Sequence, residues 1–361
     1  MAAPWRSSQI KTNLLLVLVT LAVPVVSAHA GTLAFTVEND FFGSAGTDRY
    51  YTNGVKATLI PDEPPDWSNS IGNFLRKTEG RQVGKRKTAF SVGQNIYTPR
   101  DIERTDLITD DRPYGGWLYA GIGIHDRENM GVDGETTGTD HDRDRLVTTE
   151  LVFGMVGPQS YAREVQTWWH KDIIGLNNTR EPRGWDNQLK NEFGIALGRE
   201  VKWRKSIFRS DSPRGFGIDR IFHLGGVVGN IYTYANTGAE IRCGWALPND
   251  FGTAQSRPFG DASGLSASEW EYPPSFFSPH FFIRVDGRAV ARNIFLDGNT
   301  FADSHSVDKK TLVGDLSCGI NITLCRELNL TYTHVYHSKE FEQQPLAHVY
   351  GSVTLAFTHK F

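Results

Sequence analysis

Beyond its first thirty residues the chain has no apolar run approaching the roughly 20 residues that a membrane helix needs. The remainder therefore either dissolves in water or crosses lipid as strands, because only helices and closed barrels satisfy every backbone group inside a bilayer. Cysteine is equally scarce. With Cys243, Cys318 and Cys325 as the whole set, at most one bridge can form, which excludes a disulfide scaffold. A strong charge of either sign is also missing. The 38 basic residues are nearly balanced by 41 acidic ones, which argues against nucleic acid as the main partner. No internal repeat beyond an even spacing of short segments, and no low-complexity tract, is present.

The first thirty residues read as a secretory signal. Arg6 and Lys11 give the positive start, Leu14 to Val26 the apolar run, and Ala28-His29-Ala30 the small-x-small cleavage site. The sequence thus predicts a leader at 1–30 and a mature chain at 31–361, with no cysteine placed to carry a lipid anchor. Without Arg6 and Lys11 the mature chain keeps 36 basic residues against 41 acidic ones, a formal charge of −5. Mean hydropathy is −0.37, a value typical of soluble proteins. It decides nothing, since a barrel turns every second side chain inward and so dilutes its own apolarity.

What is abundant is alternation with a period of two. Leu33, Phe35 and Val37 alternate with small or polar residues, and so do Val55, Ala57 and Leu59. Phe281, Ile283 and Val285 alternate with Arg284, Asp286 and Arg288, too charged a second face for a packed sandwich core. That face suits a polar lumen. The pattern predicts an all-β, antiparallel transmembrane β-barrel of about twelve strands, at 32–42, 51–60, 88–97, 114–126, 145–156, 188–204, 218–234, 238–247, 277–295, 310–323, 328–338 and 347–361. The last strand ends on the aromatic Phe361, as such barrels commonly do. The longest loop falls at 248–274, and Lys85-Arg86-Lys87 reads as a solvated turn. One stretch breaks the period: 159–174 reads as a short helix opened by Pro158 and ended by Gly175. If the first strand starts in the periplasm, loops after odd-numbered strands are extracellular, and this helix lies in one of them.

That topology would bring three polar elements to one rim: Asn39-Asp40 ending the first strand, Tyr51-Thr52 opening the second, and Gln166 with His170, four apart and so on one helical face. Each has an ordinary reading. Asn and Asp at a strand end are common turn formers. Thr52 shares the lumen parity of Gly54, Lys56 and Thr58, and His170 follows Trp168-Trp169, which suits an interfacial lid. Strict alternation also sets Asp40 on the lumen face and Asn39 on the lipid face, so that either a bulge re-aims one of them or the site opens sideways toward lipid. The rim cluster Asp110-Asp111-Arg112 suits a cation, a phosphate or passive contact with surface lipopolysaccharide.

The string Val37-Glu38-Asn39-Asp40 is followed by Asp48-Arg49-Tyr50-Tyr51-Thr52-Asn53-Gly54, then Gln94-Asn95-Ile96-Tyr97-Thr98-Pro99. Next come Val156-Gly157-Pro158, Glu164-Val165-Gln166 with His170, and Gly184-Trp185-Asp186-Asn187-Gln188. This ordered set resembles the outer-membrane lipid A 3′-O-deacylase family over the mature chain, most densely from Leu33 to Gly198. The resemblance implies a twelve-stranded barrel with a calcium-dependent site between the wall and a loop helix at the outer leaflet. Asn39, Asp40, Thr52, Gln166 and His170 match the family's site positions. The loop after strand three is a little shorter than the family's, so Arg100 or Arg104 stands in for its basic residues, with Arg112 nearby as a further phosphate contact.

Ester hydrolysis needs a base for water and positive charge for the developing oxyanion. Histidine accepts protons near neutral pH, so His170 is read as the base. Gln166 would orient the base or the substrate. Asp40 would be the main Ca2+ ligand, helped by Thr52 or nearby backbone; calcium takes about 6–8 oxygens, so water or substrate must complete its shell. The implied partners are lipid A and outer-membrane lipid, with the chain a monomer. Two alternatives stand beside this reading: an outer-membrane phospholipase, for which no Ser/His pair is found on neighbouring strands, and a non-enzymatic porin or surface-binding barrel.

Overall fold

The computed structural model describes residues 31–43, 49–76, 83–128, 145–170, 181–212, 214–253, 259, 276–325 and 327–359. The leader, the part of the expected helix past 170 and the terminal Phe361 lie outside these residues. Twelve strands form one closed antiparallel barrel, each paired with its neighbours in the chain and the first with the last. They are β1 (Gly31–Asn39), β2 (Tyr50–Pro61), β3 (Lys85–Thr98), β4 (Gly115–Glu128), β5 (Arg145–Val156) and β6 (Glu192–Arg209), then β7 (Phe216–Gly229), β8 (Tyr232–Trp245), β9 (Phe277–Asn293), β10 (Leu312–Leu324), β11 (Leu328–His337) and β12 (His348–His359). The seam runs from Gly31 opposite His359 to Asn39 opposite Gly351, leaving no unpaired edge.

Alternation places apolar groups outside and polar groups inside, the reverse of a water-soluble fold. On β9, Phe281, Ile283 and Val285 are 56%, 60% and 57% exposed, while Arg284 and Asp286 between them are 5% and 3% exposed. The inward charges neutralise one another: Arg242 is bidentate on Asp219 at 2.7 and 2.9 Å, Arg284 pairs with Glu240, and Arg288 reaches Asp315 at 3.1 Å. Side chains also fill the two ends. At the rim bearing the loops after odd-numbered strands, here the upper rim, the short helix following β9 drives Phe295 into the mouth. Phe295 stacks on Tyr97 with centroids 4.1 Å apart, and the Tyr97 hydroxyl meets that of Tyr232 at 2.7 Å. At the lower end the chain after β8 turns inward. Phe251 is fully buried against Leu146, and Thr253 donates to Glu240.

Three local expectations change. The hairpin between β7 and β8 turns at Asn230-Ile231, six residues earlier than Asn236-Thr237 suggests. Asn230 fixes it by donating to Glu192 and to the Phe193 carbonyl and accepting from the Ile195 amide, while Ile231 is wholly buried. Lys85-Arg86-Lys87 is not a solvated turn but the start of β3. Lys87 points inward to the Asp62 carbonyl at 2.9 Å, and Arg86 is bidentate on Asp126 at 2.6 and 3.0 Å. Third, the connection between β2 and β3 contains a helix, α1 (Asp66–Arg76), which the period-two reading passed over.

Candidate active site

At the upper rim β1 ends at Asn39, whose side chain closes the following 3-10 turn (Asp40–Phe42) by accepting from the Phe41 amide at 2.8 Å. This cap explains why an Asn sits there. Although Asn39 has the outward parity of Val37, it is only 4% exposed. Asp40 is 1% exposed, and its Oδ2 accepts from the Arg49 amide across the loop at 3.1 Å.

Opposite this turn β2 carries a bulge. Tyr51 pairs with Tyr97 and Asn53 with Ile96, which leaves Thr52 without a ladder partner. Tyr51 swings into the lumen, where its hydroxyl donates to Glu38 at 2.7 Å; Gly54 gives it room, since a Cβ there would lie 1.9 Å from that hydroxyl. The extra residue reverses the parity of everything before it. Thr52 is consequently not lumen lining. Its hydroxyl meets that of Thr98 at 2.7 Å, on the outward parity of Ile96 and Gln94. β1 itself runs in regular register to Asn39, so the bulge lies not there but at Thr52, which it turns outward.

The loop helix takes up the same side. It starts later than expected: residues 158–160 form a 3-10 turn, Tyr161 adopts a left-handed conformation at φ 57°, and α2 is Ala162–Trp168. α2 lies against the outside of β3 and β4. Ala162 packs with Ile96, Ile102, Tyr114 and Trp185, and Gln94 donates to the Ser160 carbonyl at 2.6 Å. Close approach depends on Gly116, where a Cβ would lie 2.2 Å from both the Ala162 Cβ and the Ser160 Oγ.

On this helix Gln166 is 3% exposed, and His170, two residues past its end, 4%. The Trp185 indole donates to Gln166 Oε1 at 2.9 Å, and Gln166 Nε2 is buried with no hydrogen-bond partner among the described residues. The amide is thereby held with a donor to spare. Asn39, Thr52 and Thr98 stand at the upper ends of β1, β2 and β3, and α2 with Gln166 packs on β3 and β4 at the same rim, with Asp40 in the turn after β1 and His170 just past α2. Nothing local in the sequence marks Trp185 or Thr98 as partners of the site residues, since only the fold shows what they touch.

The arginines separate into two groups. Arg100 is exposed, with its backbone amide on Asp111 at 2.8 Å, and Arg104 is an exposed partner of Asp106. Arg112, expected to face substrate, is instead wholly buried on the inner side: it lies over the Tyr97 ring at 4.8 Å and binds Glu340 at 2.8 Å. It belongs to the mouth's stopper, because Glu340 in the last upper loop offers it a compensating charge. Asp111 beside it is pushed above the ordinary carboxylate range by burial, which outweighs the amides of Arg100 and Arg112. Burial pushes Glu340 the same way, but Arg112 and His337 outweigh it and hold that carboxyl far below its usual value of 4.5.

A depressed carboxyl stabilises the fold above its unfolded pKa and loses that contribution as pH falls toward its folded one. Acidification below about 4.5 should therefore loosen the stopper. Glu340→Gln should do so at neutral pH, at a cost of about 3–5 kcal/mol for leaving Arg112 uncompensated. Heat-modifiable gel migration against pH checks both; unchanged melting of the variant would remove the pair from the stability of the mouth.

Comparison with known proteins agrees with this architecture. The family described as "Outer membrane protein LpxR" matches residues 14–359. Among solved structures, LpxR from Salmonella typhimurium is 20% identical with a TM-score of 0.66, covering 91% of this chain and all of that one. The β domain of the Bordetella autotransporter BrkA is 8% identical with a TM-score of 0.40, covering 92% of this chain and all of that one, too remote to inform the site. No curated protein sequence matches the chain. A match from residue 14 to residue 359 spans all twelve strands, and the chain belongs to the LpxR family of outer-membrane proteins.

Proposed function

We propose that the protein is a calcium-dependent lipid A 3′-O-deacylase, hydrolysing the ester-linked acyl chains at the 3′ position of lipid A in the outer leaflet. The observation that carries this reading is that α2, with Gln166, and the Thr52–Thr98 pair both lie on the outer side of the wall at one rim. A site between a surface-mounted helix and the outside of a barrel is reached from lipid and not from the lumen. A pore would need an open mouth, whereas this one holds Phe295 against Tyr97.

In the proposed reaction His170 takes a proton from water as it attacks the ester carbonyl, then returns one to the departing sugar oxygen. Gln166, fixed by Trp185, directs its Nε2 hydrogens at a substrate oxygen. Arg100 and Arg104, exposed beside the helix, meet the phosphorylated sugar. The residues in the turn suit a hard cation. Among the described residues no three His, Cys, Asp or Glu gather, so a calcium shell would combine the Asp40 carboxylate with neutral oxygens such as the Thr52 hydroxyl and turn carbonyls. When bound, the ion would supply positive charge for the developing oxyanion.

Incubating the purified barrel with lipid A and calcium, then weighing the products, tests the proposal. Loss of the 3′ acyl mass, abolished by chelation and restored by calcium, is expected. Loss from glycerophospholipid instead would indicate a phospholipase, and no loss from either lipid would return the barrel to a non-enzymatic role. Within that assay Trp185→Phe should keep the ring packing on Tyr114, 4.9 Å away, yet lose one hydrogen bond. About 1 kcal/mol, or roughly a fivefold drop in turnover with melting little changed, is expected. An unaltered rate would show that the indole does not position Gln166.

A further inference from the structure

At the lower rim, opposite the candidate site, α1 is packed inside out. Its buried face is polar: Ser68, Gly72 and Arg76, spaced by four, lie against the outside of β3 and β4. The Ser68 hydroxyl meets that of Thr88 at 2.6 Å, and Arg86 donates to the Asn69 carbonyl at 2.9 Å and to the Asn73 side chain at 3.0 Å while holding Asp126. Gly72 permits this, because a Cβ there would lie 2.3 Å from the Arg86 guanidinium carbon. Arg76 pairs with Glu128. The outer face carries an apolar stripe: Trp67, Ile71 and Phe74, at helical spacing, are 43%, 45% and 76% exposed.

A helix on a water-washed surface would bury that stripe and expose the charges. Here the two arginines are paired against the wall, and an apolar stripe faces outward beside a polar edge of Asp66, Ser70 and Asn73. The stripe is also continuous with the barrel's apolar belt, since the Trp67 ring sits 6.1 Å from Phe90, an outward residue of β3. We propose that α1 is an interfacial anchor whose Trp67, Ile71 and Phe74 insert among the phospholipid acyl chains and headgroups of the leaflet at the lower rim. An aromatic at the belt's edge with further apolar groups beyond it suits that boundary. The anchor would fix the depth and tilt of β2 to β4, whose upper ends carry Thr52 and the floor beneath α2. Nothing in this inference depends on the reaction proposed above; it rests on the outer-membrane family and on the packing of α1.

Nitroxide labels test it in the full-length barrel. With Cys243, Cys318 and Cys325 changed to Ser, single labels are placed through Ile71→Cys, Phe74→Cys and, at the helix's polar edge, Asp66→Cys, and the protein is reconstituted in phosphatidylethanolamine/phosphatidylglycerol vesicles. The ratio of oxygen to nickel-chelate accessibility should exceed one at 71 and 74 and fall below one at 66. Greater nickel accessibility at 71 and 74 would place the stripe in water and overturn the proposal. So would shielding from both reagents, the mark of a second copy or another protein. Heat-modifiable migration confirms folding of each variant, and either apolar position suffices if the other fails to fold.

Discussion

His170→Ala should abolish most turnover on lipid A while leaving a barrel that still migrates as a folded species and melts close to the unsubstituted protein. Positioned general bases contribute about 10²–10⁴-fold, so the expected loss is roughly 2.7–5.5 kcal/mol of transition-state stabilisation. Folding is spared because His170 follows a helix mounted on the wall and contributes nothing to the strand ladders. Its small residual exposure means that the truncation leaves a cavity. Added imidazole should therefore restore part of the rate if the ring supplies a proton acceptor, and none if the ring merely holds α2 in place. A variant that keeps full turnover would dismiss His170 as the base whatever its position.

Asp40→Asn is the second large effect. The substitution keeps the shape and an oxygen for the Arg49 amide, so the turn should hold and melting should scarcely change. What it removes is a negative charge in a buried position. Activity should fall by about 10²–10³-fold, the range for losing one stabiliser of a developing oxyanion, and the calcium concentration for half-maximal rate should rise. An unchanged calcium titration would deny Asp40 its role as a ligand. If the rate fell with the calcium midpoint fixed, the carboxylate would matter for the turn's shape and not for the ion.

The barrel was legible because alternation is written locally. Phe281 to Asp286 reads the same with or without its neighbours, and β5 falls at Arg145–Val156, where the pattern set it. Features defined by distant partners were less legible. Asn236-Thr237 looks like a turn in isolation, yet it pairs in β8, where Asn236 reaches over Gly225 of β7 to Glu200 at 2.8 Å. Lys85-Arg86-Lys87 looks solvated until Asp126 and the Asp62 carbonyl are in view. Arg112 is inseparable in sequence from the surface arginines, and only Glu340, 228 positions later, draws it inside.

By itself the sequence determined that this chain is a closed cylinder of strands, since the period of two and the want of any long apolar run admit few other ways to satisfy a backbone in lipid. It also set which residue types gather at the upper rim. Which way they face was decided only by tertiary structure. One extra residue at Thr52 reverses the parity of the strand end, and the missing Cβ of Gly116 lets α2 settle on the outside of the wall. Parity beyond a bulge, and the side on which a loop packs, depend on groups far away in the chain, so no local pattern encodes them.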